Sequence, residues 1–339
     1  MIPHFRRFAP VAALVFALAA TCGPARAQNG PARVVRPVAA GAWFPADTEE
    51  LSSLLKGLFS KAEAAAGDAP GGRLAACIVP HAPYATSGPI AASALRLVKP
   101  GQYERVIVLA AAHHSKFRGC SIPSAQAYIT PLGVVPIDCK LVRDLDRLSP
   151  LVEVRSLQYE EVLERQPLHE RETTVEVMLP YLQARLGTFN LVPIVVGQFK
   201  DYHGNLDTYA LDAVASALKR FIDDKTLVVV SSDFTHFGNN FSYRPFKENI
   251  LQNIEALDRA AFDLILSKNL EGYYEYLRQT ENTICGKEAI ALMLKLLPKD
   301  AAGTLTGYDI SARHSGDTKT SISYAGIVFT QPEHVQATK

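Results

Sequence analysis

Apolar runs alternate with amphipathic segments along most of the chain. Short apolar runs rich in β-branched residues predict buried strands at 74–79, 105–111, 191–196 and 227–231. Between and after them, apolar residues at helical spacing predict helices, as in the run Leu51, Leu54, Leu55, Leu58 and Phe59. Closing strands are predicted at 303–310 and 321–329. Strands that alternate with helices favour a single-domain α/β fold with a central, mainly parallel sheet flanked by helices.

Histidine-bearing polar clusters follow three of the predicted strands. His81 follows the first, His113 and His114 follow the second, and Asp233 and His236 follow the strand at 227–231. Because the carboxyl ends of parallel strands meet at one edge of a sheet, these clusters are expected to converge. A single histidine after a strand is usually structural, but three such clusters with an Asp favour a functional site. Four further histidines lie in polar surroundings and are predicted to be on the surface: His169, His203, His314 and His334.

Cys285 stands where a loop becomes the predicted helix 287–297. The positive end of a helix dipole favours a thiolate there and lowers the pKa of the thiol. A thiolate at this position is either a nucleophile or a soft metal ligand. The alternative is a buried, inert cysteine beside a helix start.

The N-terminus has the pattern of a secretory signal peptide. Arg6 and Arg7 precede the apolar stretch 11–20, and Ala25-Arg26-Ala27 forms a small-x-small cleavage site. Cleavage after Ala27 predicts a periplasmic or secreted protein without a transmembrane segment. The expected mature chain has a loose stretch at 28–34, one domain at 35–330 and a tail at 331–339.

Charge and cysteine content add two limits. Lys and Arg total 35 against 34 Asp and Glu, without a basic block, so nucleic-acid binding is not supported. The cysteines other than Cys285 lack CxxC spacing. Cys77 lies within an apolar strand pattern, which indicates a core residue. Cys120 and Cys139 could form a disulfide in an oxidising compartment, and the sequence leaves this open.

Eight motifs together resemble the Memo family, called AmmeMemoRadiSam system protein B in bacteria. In chain order they are VRPVAAGAWFPAD, VPHAPY, LAAAHHSKFRGC, ETTVEVMLPYLQ, VPIVVGQ, VVVSSDFTHFG, NTICGKEAI and SYAG. The resemblance covers residues 35 to about 328. It implies a fold similar to the class III extradiol, or LigB-like, dioxygenases, which are non-haem iron enzymes.

The resemblance also implies a set of site residues. His81 of VPHAPY, His113 of LAAAHHS and Cys285 of NTICGK would be the metal ligands, with Asp233 and His236 completing the pocket. His114 is not chosen because it points the other way if the backbone is extended. Two imidazoles and a thiolate suit Fe(II) or Cu(I), and Zn is compatible. His236 would act as acid or base, with Asp233 orienting it or a ligand histidine.

Two positions depart from the family pattern. The family commonly has Glu-His-Ser where this chain has Glu172-Thr173-Thr174, and VPHAPY has Pro83 where Gly is usual. The first change removes a histidine from the pocket. A signal peptide is a further departure, because the family is mostly cytoplasmic.

Three functions fit these residues. The first is a metal-dependent oxidoreductase similar to extradiol dioxygenases. The second is a non-catalytic protein that binds metal, a small molecule or a peptide in the same pocket. The third is a Cys–His hydrolase with Cys285 as nucleophile and His236 or His81 as base. The metal, the substrate or partner, and the oligomeric state do not follow from the sequence.

Overall fold

The computed structural model describes residues 33–332, apart from 66, 68–69, 150 and 158–165. The predicted signal peptide and most of the two predicted terminal segments lie outside these residues. Val34 already belongs to the first strand, and the last strand continues to Gln331. The described strands therefore run from Val34 to Gln331.

The described strands agree closely with the apolar runs. They are β1 (Val34–Val35), β2 (Arg73–Val79), β3 (Arg105–Ala111), β4 (Cys120–Ile122), β5 (Ala127–Thr130), β6 (Gly133–Pro136), β7 (Val152–Val154), β8 (Ser156–Leu157), β9 (Gln166–Pro167), β10 (Asn190–Val196), β11 (Thr226–Ser231), β12 (His236–Gly238), β13 (Ala302–Ile310) and β14 (Thr320–Gln331).

The helices lie between these strands. They are α1 (Thr48–Ala64), α2 (Tyr84–Leu95), α3 (Cys139–Leu148), α4 (Leu179–Leu186), α5 (Thr208–Lys219), α6 (Ile250–Leu266), α7 (Leu270–Thr280), α8 (Lys287–Leu296) and α9 (Ala312–Ser315). Short 3-10 turns cover Leu168–Glu170, Glu176–Met178 and Asn239–Phe241. Asp47 caps α1 by accepting hydrogen bonds from the backbone of Glu49 and Glu50, as its position before an apolar helical stripe predicts.

The large sheet is mixed, with a parallel centre. Its order is β12-β14-β2-β11-β3-β10-β4-β7, and β13 pairs with β14. The four central strands β2, β11, β3 and β10 run parallel. On either side, β14 and β4 join antiparallel. The α/β single-domain prediction is confirmed, and "mainly parallel" describes the centre of the sheet.

Helices pack against the central strands of the large sheet and bury them. Helix α8 contacts β3 and β11, and α2 contacts β2, β13 and β14. The central strands β2, β3, β10 and β11 are almost completely buried, which is why they read as continuous apolar runs. None of the described helices is both long and apolar enough to cross a membrane.

Two sequence predictions meet a different local structure. His169 was expected on the surface but is buried, 3% exposed, because β4 and β5 pack around it. Its imidazole lies 2.8 Å from the Tyr128 hydroxyl and 3.0 Å from the Ser121 carbonyl oxygen. Cys120 is a buried free thiol, so the disulfide with Cys139 that the sequence left open is not formed.

Candidate metal centre

The candidate site lies at the carboxyl edge of three adjacent strands. Val79 of β2 is paired with Ser231 of β11, and Ser231 is paired with Ala110 of β3. Each strand leaves the sheet just beyond this level. The chain then places His81, Asp233 and His113 side by side, although they lie far apart in sequence.

Three potential metal ligands meet at this edge. One donor atom each from His81, His113 and Cys285 lies within 4.8 Å of the others. The His81 Nε2 atom is 3.3 Å from the Cys285 sulfur, and the two imidazole rings have centroids 4.9 Å apart at 73°. Within the described residues, these are the three donors the sequence singled out.

Hydrogen bonds select the tautomer of His81. The Ser231 hydroxyl donates a hydrogen bond to the Thr174 carbonyl oxygen at 2.7 Å. The Ser231 oxygen can therefore accept a hydrogen bond from the Nδ1–H group of His81 at 2.9 Å. With the proton on Nδ1, the lone pair on Nε2 faces the Cys285 sulfur. An imidazole held in this way by an outer hydrogen bond is the usual arrangement of a metal-ligating histidine.

Cys285 is held between the start of α8 and the end of β11. Its sulfur accepts from the backbone N–H of Asp233 at 3.1 Å, and the N–H of Gly286 donates to the Ser232 hydroxyl at 3.0 Å. Burial raises the pKa of the Cys285 thiol, and the Asp233 carboxylate raises it further. The expected lowering by the helix dipole is therefore outweighed by desolvation. A bound cation would reverse this balance, because a coordinated thiol is deprotonated.

His113 sits on the loop after β3 and is the most exposed of the three candidate ligands. Both carboxylate oxygens of the buried Glu172 accept backbone N–H groups of this loop, from His113 and His114, each at 2.9 Å. The Ser115 hydroxyl also donates to Glu172 at 3.1 Å. The His114 ring stands at 90° to that of His113, and it is not part of the donor group.

Asp233 and His236 lie beside this group. Asp233 Oδ1 accepts from the backbone N–H of His81 at 2.9 Å, and its Oδ2 is 3.9 Å from His81 Nε2. Burial raises the pKa of Asp233 to about 6, although His236 opposes this shift. His236 begins β12, where Nδ1 lies 2.9 and 3.1 Å from the carbonyl oxygens of Phe234 and Thr283. Two carbonyl neighbours require that Nδ1 carries the proton, which leaves Nε2 as an acceptor.

The two ligand imidazoles are held neutral. Burial lowers the pKa of His81 to about 3, assisted by repulsion from His236. Partial burial lowers the pKa of His113 to about 3 as well, with repulsion from the neighbouring histidines His81, His236 and His114. A neutral imidazole offers the lone pair that a metal ion needs, so this electrostatic environment suits coordination.

The sequence did not single out the residues that orient the donors. Ser231, Thr174 and Glu172 act through hydrogen bonds to residues 57 or more positions away. All three lie within the motifs ETTVEVMLPYLQ and VVVSSDFTHFG, but a motif does not show which residue a hydroxyl or carboxylate will bind in the folded chain. A cavity of about 950 Å³ lies elsewhere, between α1, the β5–β6 hairpin and the end of α4, and none of the five predicted site residues lines it.

A profile of the family described as "Memo-like protein" matches residues 36–328. The chain belongs to this family. Among curated proteins, the Memo-like chain is 30% identical to Protein MEMO1 of Danio rerio over 84% of this chain and 94% of that protein. It is 28% identical to Protein MEMO1 of Homo sapiens, over 86% and 95%. The resemblance inferred from the motifs is confirmed.

Among solved structures, one of an uncharacterized protein from Escherichia coli K12 matches the Memo-like chain with a TM-score of 0.44 and 14% sequence identity. The match covers 76% of the Memo-like chain and 99% of that protein.

Proposed function

We propose that this Memo-like protein binds one transition-metal ion through His81, His113 and Cys285. The observation that carries the proposal is the convergence of three donor atoms within 4.8 Å, with the His81 tautomer set by Ser231. A donor set of two imidazoles and one sulfur fits Fe(II) or Cu(I) best, and Zn is compatible.

The proposed activity is that of a metal-dependent oxidoreductase. A three-ligand face leaves coordination positions for water, dioxygen or substrate, where the ion would supply Lewis-acid or redox chemistry. His236 lies beside this region, and with the proton on Nδ1 its Nε2 would be the atom that accepts a proton from a substrate hydroxyl. Asp233 holds the backbone of His81 in place. Because a thiolate replaces the carboxylate of the extradiol enzymes, we do not propose ordinary catechol cleavage.

The second candidate is a non-catalytic binding protein that uses the same pocket for metal, a small molecule or a peptide. Thr173 favours it, because that position commonly holds a pocket histidine in the family. The third candidate, a Cys–His hydrolase, is weakened by the structure. Burial raises the pKa of Cys285, and a raised pKa lowers the thiolate fraction that a nucleophile requires.

The compartment belongs to the proposal as well. Export through the N-terminal signal and cleavage after Ala27 would place the site in the periplasm or outside the cell. Processing is measured by the N-terminal sequence and mass of the protein recovered from each cell fraction, and a full-length cytoplasmic product would contradict it.

Anaerobic metal titration tests the metal site. Fe(II), Cu(I) and Zn(II) are titrated separately into reduced wild-type protein, Cys285→Ser, and His203→Ala as an exposed control. We expect one ion per chain in the wild type and the control, and at least ten-fold weaker binding in Cys285→Ser. Failure of the wild type to bind any of the three ions stoichiometrically would overturn the proposal.

Dioxygen consumption separates the first two candidates. The protein loaded with Fe(II) or Cu(I) is incubated with a panel of phenols in an oxygen-electrode cell. Uptake that disappears in Cys285→Ser supports the oxidoreductase. Tight metal binding without uptake supports the binding protein.

A further inference from the structure

The three histidines of the site are oriented in different ways. Hydrogen bonds from ring nitrogens fix His81 and His236. Within the described chain, neither ring nitrogen of His113 has a hydrogen-bond partner, and its nearest ring contact is His81, with centroids 4.9 Å apart. The direction of the His113 ring must therefore be set mainly through its backbone.

Glu172 controls that backbone. It is 2% exposed, and its two carboxylate oxygens accept the consecutive N–H groups of His113 and His114. A carboxylate that receives two neighbouring amides fixes the rotation of both peptide planes. Its third bond, from the Ser115 hydroxyl, extends this hold to the next residue. These charge-assisted bonds are the stronger kind.

The same short segment also reaches the second ligand. Two residues after Glu172, the Thr174 carbonyl oxygen accepts from Ser231, which in turn holds His81. The Thr174 hydroxyl donates to the carbonyl of Ala111 at the end of β3. Residues 172–174 thus touch the supports of both imidazoles and contribute no ligand themselves.

We propose that Glu172 is a positioning residue, which holds the loop after β3 so that the His113 imidazole faces the Cys285 sulfur and His81 Nε2. The inference rests on the proposed metal site. It predicts that the carboxylate of Glu172 is needed for affinity and geometry at the metal, beyond any contribution to folding.

The chain supplies a matched control four residues away. Glu176 is 3% exposed, and its carboxylate oxygens accept the backbone N–H groups of Val38 and Ala39 at 2.8 and 2.9 Å. It makes the same kind of clamp on a loop that holds no proposed ligand. Glu172→Gln and Glu176→Gln therefore each replace one accepting oxygen by an amide nitrogen that cannot accept, and only the first change lies at the proposed centre.

The test compares Zn(II) affinity in the two variants and the wild type by chelator competition, with thermal unfolding measured in parallel. We expect Glu172→Gln to bind Zn(II) 10–100-fold more weakly, the range found for lost outer contacts of metal ligands. The Zn(II) affinity of Glu176→Gln should stay within about three-fold of the wild-type value. This should hold even if the thermal midpoint of Glu176→Gln falls as much as that of Glu172→Gln. In the Co(II)-substituted protein, the visible absorption should change in Glu172→Gln alone.

The outcomes are separable. No Zn(II) or Co(II) binding by the wild type would reject the proposed metal site itself. Wild-type binding together with unchanged affinity and spectrum in Glu172→Gln would overturn the role of Glu172 and leave the site standing. If Glu172→Gln does not fold, Glu172→Asp provides the test, because it keeps the negative charge on a shorter side chain. It should also bind Zn(II) more weakly than the wild type. Wild-type Zn(II) affinity in Glu172→Asp would overturn the inference.

Discussion

At the scale of single residues, the proposed metal site depends on side chains that would not themselves contact an ion. The candidate donors His81, His113 and Cys285 could be named from the sequence, because the resemblance to the Memo family selects them among the histidines and cysteines that lie beside apolar runs and helix starts. Ser231 and Glu172 were not, because their roles are hydrogen bonds to residues 150 and 59 positions away. Such pairings exist only once the sheet order is known.

Ser231→Ala tests the tautomer argument. Without the hydroxyl, the proton on His81 Nδ1 loses its acceptor, and Nε2 is no longer selected as the lone-pair nitrogen. We expect Zn(II) affinity to fall about ten-fold, with a loss of about 1 kcal/mol in the free energy of unfolding. Chelator competition and denaturant titration measure the two effects.

Ser121→Ala is the control for Ser231→Ala. Ser121 is also a buried strand serine, but its hydroxyl has no hydrogen-bond partner among the residues that the structure describes. Removal of the Ser121 hydroxyl should leave the Zn(II) affinity unchanged. An equal fall in affinity for both variants would mean that the Ser231 hydroxyl does not act through His81.

At the scale of elements, the sequence predicted the central strands to within about a residue and the helices to within a few. Two segments differ for physical reasons. His236 begins a short strand, β12, that pairs with β14. The local pattern of apolar and polar residues does not predict this pairing. The motif ETTVEVMLPYLQ forms a 3-10 turn followed directly by α4 rather than one continuous helix. Pro180 therefore falls in the first turn of α4, where its missing N–H costs nothing.

Gly286→Ala tests the close approach of α8 to the end of β11. A Cβ atom at Gly286 would lie 2.4 Å from Ser232 Cβ and 3.1 Å from the Ser231 carbonyl oxygen. The chain must move at the residue next to Cys285. We expect a loss of about 1–3 kcal/mol in unfolding free energy, together with weaker Zn(II) binding, measured by denaturant titration and chelator competition.

Gly57→Ala is the matched substitution within α1, where an added Cβ meets nothing within 4 Å. It should raise the unfolding free energy by up to about 1 kcal/mol, because alanine favours a helix over glycine. Zn(II) affinity should not change. A Gly286→Ala protein as stable and as tight-binding as the wild type would show that α8 can shift without disturbing Cys285.

At the scale of the whole molecule, the fold class could be predicted from the sequence but the order of the strands could not. Apolar runs do not encode that β11, late in the chain, inserts between β2 and β3. That insertion brings His81, Asp233 and His113 to neighbouring strand ends. The antiparallel pairing of β14 with β2 is equally invisible, because buried parallel and antiparallel strands share the same composition. The burial of His169 was missed for the same reason: β4 and β5 are close only in the folded chain.

Unfolding free energy should fall in mild acid because of His169. Burial lowers the pKa of this imidazole to about 4, from an ordinary value of 6.5. Between these values the unfolded chain binds the extra proton, so the contribution is complete above pH 6.5 and is lost as the pH falls toward 4. The loss is about 3 kcal/mol over that window.

Denaturant titrations of the wild type and His169→Gln, at intervals from pH 7 to pH 4, measure this term. Glutamine is neutral throughout, so the variant should lose less stability than the wild type as the pH falls. Parallel profiles for the two proteins would show that His169 does not titrate between the folded and unfolded states.

The donors proposed here come from segments as much as 204 residues apart. A chain that ends before Cys285 lacks one of the three donors, so an ion would be captured only after most of the chain has been made and folded. Binding at that stage would raise the free energy of unfolding by about 2.7 kcal/mol when the free ion is at 100 times its dissociation constant. The identity of the ion would then depend on the supply available where the chain completes its fold, as much as on the preference of its sulfur and nitrogens.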